Sequence, residues 1–150
     1  MLLRLLPALL CLALVPSAPL AAQRLDAAAV KARVATGTPT APASLAGADL
    51  SGVDLSGIDF RNASLTGARL VGANLSGADL FSCDLTDADA EGADFRKANL
   101  DGTTLRRTKL AKANFEGASL FATIIEGADL SGANLRGTRI IGFLKSAKLP

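Results

Sequence analysis

The side chains in this chain that could do chemistry are carboxylates, two thiols and a run of cations. There is no His, Trp or Tyr, which removes the usual general base, the commonest transition-metal ligand and the favoured interface aromatics. A nucleophilic triad needs a base that titrates near neutrality, and a transition-metal site needs His or clustered Cys. Carboxylate pairs such as Asp84 and Asp87 could do acid–base work in a cleft, but a regular repeat presents convex surface. Columns of Asp could attract calcium, yet no ligand loop of recognisable spacing is present. Cys11 sits in an N-terminal apolar run and Cys83 at a small-residue position of the repeat. No intramolecular bridge is expected in a processed chain, and Cys83 reads as a small buried hydrophobe. We therefore expect no enzyme activity, no cofactor and no metal. The chemistry that remains is recognition.

The frame for that recognition is a five-residue period running in one phase from Ala43 to Gly142. Large apolar residues stand at every position divisible by five, from Leu45 and Leu50 to Leu135 and Ile140, with Ala90 the one small exception. Two residues before each centre the side chain is small or β-branched: Ala43, Ala48, Val53, Ile58, and so on to Thr138. Neither the 3.6-residue period of a helix nor the alternation of a strand sustains this over a hundred residues. Ala48-Asp49-Leu50-Ser51-Gly52, Ala73-Asn74-Leu75-Ser76-Gly77 and Ala128-Asp129-Leu130-Ser131-Gly132 show the unit in full.

These units resemble the pentapeptide-repeat family, whose consensus is approximately A(D/N)LXX. The resemblance implies an all-β solenoid, a right-handed quadrilateral β-helix with four pentapeptides per coil, hence about five coils from twenty repeats. At about 4.8 Å per coil the rod would be roughly 24 Å long. On this frame the centres point inward, Asp or Asn before each centre bonds turn amides, and the residue two after the centre sits at a corner where only a small residue escapes strain.

Residues twenty apart become vertical neighbours, so the sequence maps the four faces. One column reads Asp49, Arg69, Asp89, Lys109, Asp129, alternating in sign, and another includes Arg96, Glu116 and Arg136. Such ladders fix register more than they add stability. The column Arg61, Phe81, Asp101, Phe121, Ile141 is different, and Phe81, Phe121 and Ile141 form the candidate interaction patch. Charge is also polarised: residues 43–94 hold nine acidic and two basic residues, and residues 95–150 four and ten. A surface for an anionic partner would therefore lie around Arg96, Lys97, Arg106, Arg107, Lys109 and Lys112. Ala90 leaves space in the central column that Phe95, on the adjacent face of the same coil, can fill.

The flanks read as processing and capping segments. Residues 1–22 carry Arg4, an apolar run through Leu5–Val15 and the small-residue end Leu20-Ala21-Ala22, the layout of a secretory signal, with cleavage after Ala22 or alternatively after Ala21 or Ala18. The run is too short for a retained membrane span, and Leu10 before Cys11 does not fit a lipoprotein site. Residues 25–36 read as a helix with Asp26 as N-cap, Gly37 as left-handed stop and an apolar stripe of Leu25, Ala29, Val30 and Val34. Within the 23–42 flank, residues 38–42 then read as an extended proline connector. The pattern ends at Gly142, and the tail 143–150 offers Phe143, Leu144 and Leu149 as a cap or homodimer contact.

Two functions fit. The first is an exported, non-catalytic scaffold, periplasmic or secreted, that binds an unknown protein partner in the cell envelope, with no nucleic acid and no stable membrane insertion after cleavage. The alternative comes from the resemblance: family members mimic duplex DNA and protect type II topoisomerases from toxins or quinolones. Mimicry of DNA calls for a strongly anionic rod, whereas the formal charge here is +2, and an export signal points away from topoisomerases.

Overall fold

The computed structural model describes residues 24–38, 40–143 and 145–150, so the expected signal at 1–22 lies outside the described residues. From Ser44 onward the chain stacks on itself every twenty residues. Parallel bridges join Ser44 to Ser64, Asp49 to Arg69, Asp54 to Asn74 and Asp59 to Asp79, and each series continues coil after coil. Four ladders result: Ser44, Ser64, Asp84, Thr104, Ile124; Asp49, Arg69, Asp89, Lys109, Asp129; Asp54, Asn74, Asp94, Asn114, Asn134; and Asp59, Asp79, Asn99, Ser119, Arg139. The fold is a β-solenoid. Two stretches extend beyond single bridges: strand β1, Ser119–Ile124, and strand β2, Arg139–Phe143, which pair in parallel with Leu120 opposite Ile140 and Phe121 opposite Ile141.

The period produces this stack because each centre residue uses its backbone upward and its side chain inward. Leu50 donates its N–H to the Arg69 carbonyl at 2.7 Å and Leu55 to the Asn74 carbonyl at 2.7 Å, while Arg69 donates back to Ala48 at 2.9 Å. The side chains of Leu50, Leu55, Phe60, Leu65 and their equivalents are fully buried, as is Ala90. Burying each such side chain contributes about 1.5–3 kcal/mol. Phe95 and Phe115 lie on successive coils with ring centroids 4.9 Å apart and planes 3° from parallel, so the centre column stacks at the coil spacing.

The corner position is selected by dihedral angle rather than by size, which corrects the expectation of small residues. Gly117 has φ 69°, and Lys97, one coil earlier at the same corner, has φ 57°. An added Cβ at most corner glycines meets nothing within 4 Å. Bulk is therefore tolerated, and a residue such as Lys97 or Arg107 instead bears the left-handed backbone at a cost of about 1 kcal/mol.

The flanks depart from expectation in four ways. Helix α1 spans Ala27–Ala35, with the Asp26 side chain accepting from the Ala29 N–H at 2.8 Å. Of its expected apolar stripe, Leu25 and Val30 are buried and Val34 partly so, but Ala29 is exposed. Gly37 is not a left-handed stop: it has no positive φ, and its glycine identity matches a close approach in which a Cβ would lie 2.8 Å from the Ala43 nitrogen. The connector is not extended, because Thr38 and Ala41 exchange backbone hydrogen bonds at 2.9 and 3.1 Å and fold it back. Finally, the stack does not stop at Gly142. A one-residue slip between Phe121 and Thr123 lets Thr123 pair with Gly142. Lys148 then bridges Asp129, and Leu130 donates to the Lys148 carbonyl at 2.8 Å. Ala147-Lys148-Leu149 is thus another unit, out of phase by one residue. Leu149 is exposed rather than a buried cap. No helix among the described residues is long and apolar enough to cross a membrane.

Candidate recognition surface

The Asp and Asn residues before the centres are committed to the turns. Asp49 Oδ1 accepts from the Ser51 N–H at 3.0 Å and from the Ser51 hydroxyl at 2.7 Å, and Asn74 Oδ1 accepts from the Ser76 N–H at 3.1 Å. Vertical contacts tie coils together as well: Asn74 Nδ2 donates to Asp54 at 2.9 Å and Asn99 Nδ2 to Asp79 at 2.9 Å. These carboxylates are structural acceptors. Among the described residues, no three His, Cys, Asp or Glu side chains group as a metal site.

Hydrogen bonds that favour the ionised form hold several of these carboxyls, and that of the corner residue Asp87, below the ordinary carboxylate range. Ser51 does so for Asp49, Ser56 for Asp54 and Ser131 for Asp129, and the guanidiniums of Arg61, Arg107 and Arg96 do so for Asp59, Asp87 and Asp94. A folded-state pKa that is lowered contributes stability above the unfolded value and loses it as pH falls through the folded one. With no His in the chain, the urea midpoint is expected to stay level from about pH 5 to 8 and to fall below about pH 4. A midpoint that moves substantially between pH 6 and 8 would contradict this assignment.

Cys83 is not a reactive thiol. It is buried, its Sγ donates to the Phe60 carbonyl at 2.7 Å, and burial pushes its pKa up to about 12. The same inner position explains a pattern the sequence reading missed. Thr103, Thr108 and Thr123 are buried there, and their hydroxyls donate to the carbonyls of Leu80, Leu85 and Leu100 at 2.7, 2.9 and 2.9 Å. A threonine replacing the usual alanine two before a centre was the available signal.

The six cations singled out by the sequence are spread over the repeats of three of the four ladders, and five of them are paired. Arg96 binds Asp94 at 2.6 Å, Arg107 binds Asp87 at 2.7 Å, Lys112 reaches Glu91 at 3.2 Å, Lys109 reaches Asp89 at 3.3 Å, and Arg106 reaches Glu126 at 3.4 Å. Lys97 occupies a corner beside them. The expected Arg96, Glu116, Arg136 ladder does not form as ion pairs, because Arg96 turns to Asp94 within its own repeat. The alternating ladder forms as separate pairs: Asp49 with Arg69 at 3.9 Å, Asp89 with Lys109 at 3.3 Å and Asp129 with Lys148 at 3.5 Å. In each, the base closes on the acid of the coil before it.

Phe81, Phe121 and Ile141 are exposed by 45%, 55% and 64%, and they stand in stacked repeats of the fourth ladder. Asp101 interrupts the column between the two phenylalanines, but its carboxylate is turned to the protein, accepting from Ser119 Oγ at 2.6 Å and the Phe121 N–H at 2.8 Å. Phe121 and Ile141 stand on paired strands, so the apolar surface is continuous at the late end of the rod.

The pentapeptide-repeat family model matches in three overlapping segments, residues 43–80, 73–110 and 98–137. Among solved structures, a pentapeptide repeat protein from the Arabidopsis thaliana thylakoid lumen is 33% identical, covers 71% of this chain and 78% of its own, and superposes with a TM-score of 0.64. A pentapeptide repeat protein from the cyanobacterium Nostoc is 28% identical over 85% of this chain and 99% of its own, with a TM-score of 0.59. No curated protein matches significantly. The matched segments coincide with the stretch whose five-residue period builds the four hydrogen-bonded ladders, and the chain belongs to the pentapeptide-repeat family.

Proposed function

We propose that this protein is an exported, non-catalytic scaffold: a right-handed, four-sided rod of about five coils that holds a protein partner in the cell envelope. The observation that carries the reading is the exposed apolar column of Phe81, Phe121 and Ile141 in stacked repeats. Isolated exposed hydrophobes are ordinary, whereas aligned ones on a rigid face mark contact surfaces. The inventory supports a binding role, since the carboxylates serve the turns and the one described thiol is buried. The N-terminal run ending at Ala22 supports export, as does the similarity to a pentapeptide repeat protein of the thylakoid lumen. Helix α1 then caps the early end of the rod.

The test is in-cell crosslinking followed by fractionation. The processed chain is expected in the envelope fraction with a discrete crosslinked species that Phe81→Asp/Phe121→Asp removes while the melting curve is unchanged. An unprocessed chain confined to the cytoplasm, or a crosslink indifferent to the double substitution, would sink the proposal.

A further inference from the structure

The fourth ladder is bipolar along its length. Its stacked repeats 78–82, 98–102, 118–122 and 138–142 hold three charged residues, Asp79 in the first, Asp101 in the second and Arg139 in the last. Phe81 is 45% exposed and stands beside Asp79, donating its N–H to Asp79 Oδ1 at 3.1 Å. Two coils further on, Asp101, Ser119, Phe121, Arg139, Ile140 and Ile141 line a groove of about 420 Å³. One end of the column therefore offers an acid and a projecting ring, and the other a cation and an apolar groove. Such a surface is complementary to itself when reversed.

We propose that it pairs with the same surface of a second copy, antiparallel, about a two-fold axis lying between the 98–102 and 118–122 repeats. The 78–82 repeat of one copy then falls opposite the 138–142 repeat of the other, so that Phe81 enters the groove against Ile141 and Asp79 meets Arg139. The axis makes each contact twice, as an isologous interface requires. Asp101 falls opposite Phe121, and its carboxylate needs no partner across the axis, because Ser119 Oγ and the Phe121 N–H already donate to it at 2.6 and 2.8 Å. Asp79 can take a second cation, since Arg61 approaches it only to 3.6 Å and its side chain is 36% exposed. The neutral Asp59–Arg61 pair lies outside the overlap. A parallel pair would set Arg139 against Arg139 and Asp79 against Asp79, which like charge disfavours. Four repeats at about 4.8 Å per coil give a contact roughly 19 Å long, at the small end for specific pairs. The pair is therefore reversible, with a Kd on the order of 100 µM, and at low micromolar concentration the rod is a monomer. The inference rests on the reading of the apolar column as a contact surface and names its occupant.

The test joins two single-cysteine variants. Phe81→Cys and Ile141→Cys, each in a Cys11→Ser background, carry one exposed thiol apiece, Cys83 being buried. Oxidised at about 200 µM, their mixture is expected to form a disulfide-linked dimer at least about fivefold faster than either variant alone. Arg139→Glu added to both should remove most of that advantage with the melting curve retained. Equal rates for the mixture and the single variants, an advantage indifferent to Arg139→Glu, or only monomer in sedimentation equilibrium of the unsubstituted protein at that concentration would each overturn the proposal. Preferential crosslinking of the mixture, with the chain in cells unprocessed and cytoplasmic, would keep the pairing and remove the envelope reading. An envelope crosslink to a species other than twice the chain's mass, with the purified variants indifferent to mixing, would do the reverse.

Discussion

Replacing Phe95 by alanine is expected to lower the unfolding free energy by about 5 kcal/mol, at or beyond the top of the range for a single buried aromatic. The ring is fully buried and stacks on Phe115 at 4.9 Å. Loss of that stack alone accounts for about 0.5–1.5 kcal/mol. The remainder comes from a cavity that cannot close. Backbone bonds hold the coil from both sides, Phe95 donating to Asn114 at 2.7 Å and Asp94 donating to Ala73 at 2.9 Å, so neighbouring coils do not collapse into the space. The adjacent centre on the same coil is Ala90, which supplies the least volume of any centre. Urea unfolding of Phe95→Ala beside Phe60→Ala measures the difference, and a cost under about 1 kcal/mol would show that Phe95 does not fill that space. Ala90→Leu should recover part of the loss only in the Phe95→Ala background, which a double-mutant cycle reads directly.

The centre column was fully legible in the sequence because a period of five admits one arrangement that buries every fifth side chain. Residues Leu45 to Leu130 are inward as the spacing demands. What the spacing could not supply is direction at the surface. Arg96 can reach Asp94 in its own repeat or Glu116 on the next coil, and both choices satisfy the charge pattern; the hydrogen-bonded fork to Asp94 wins. The tail was missed for a different reason. A one-residue slip at Gly142 breaks a phase count while leaving the physical ladder intact, since a bulge absorbs the missing residue. The corner positions were read by size when the backbone was selecting for dihedral angle. The apolar column of Phe81, Phe121 and Ile141 was legible, because only a twenty-residue lag was needed to place it.

The early end is closed, and Val30→Asp should open it. Leu45 and Leu50 belong to the first coil, with no earlier coil beneath them, yet both are fully buried. Helix α1 provides the cover. Val30 is fully buried, Leu25 nearly so, and the Leu25 N–H donates to the Asp49 carbonyl at 3.2 Å. A nine-residue helix is marginal alone, so its order depends on this docking. A carboxylate at position 30 cannot stay charged in that contact. The cheaper response is for the helix to undock, losing the burial of Val30, Leu25 and part of Val34, about 3–5 kcal/mol in all. The exposed coil then presents unpaired backbone and apolar centres. Val30→Asp is therefore expected to self-associate in sedimentation velocity through that coil, with trypsin cutting early at Lys31 and Arg33. Val30→Ala should remain monomeric and lose only about 2 kcal/mol. A monomeric Val30→Asp protein with an unchanged tryptic pattern would show that the helix is not what covers the first coil.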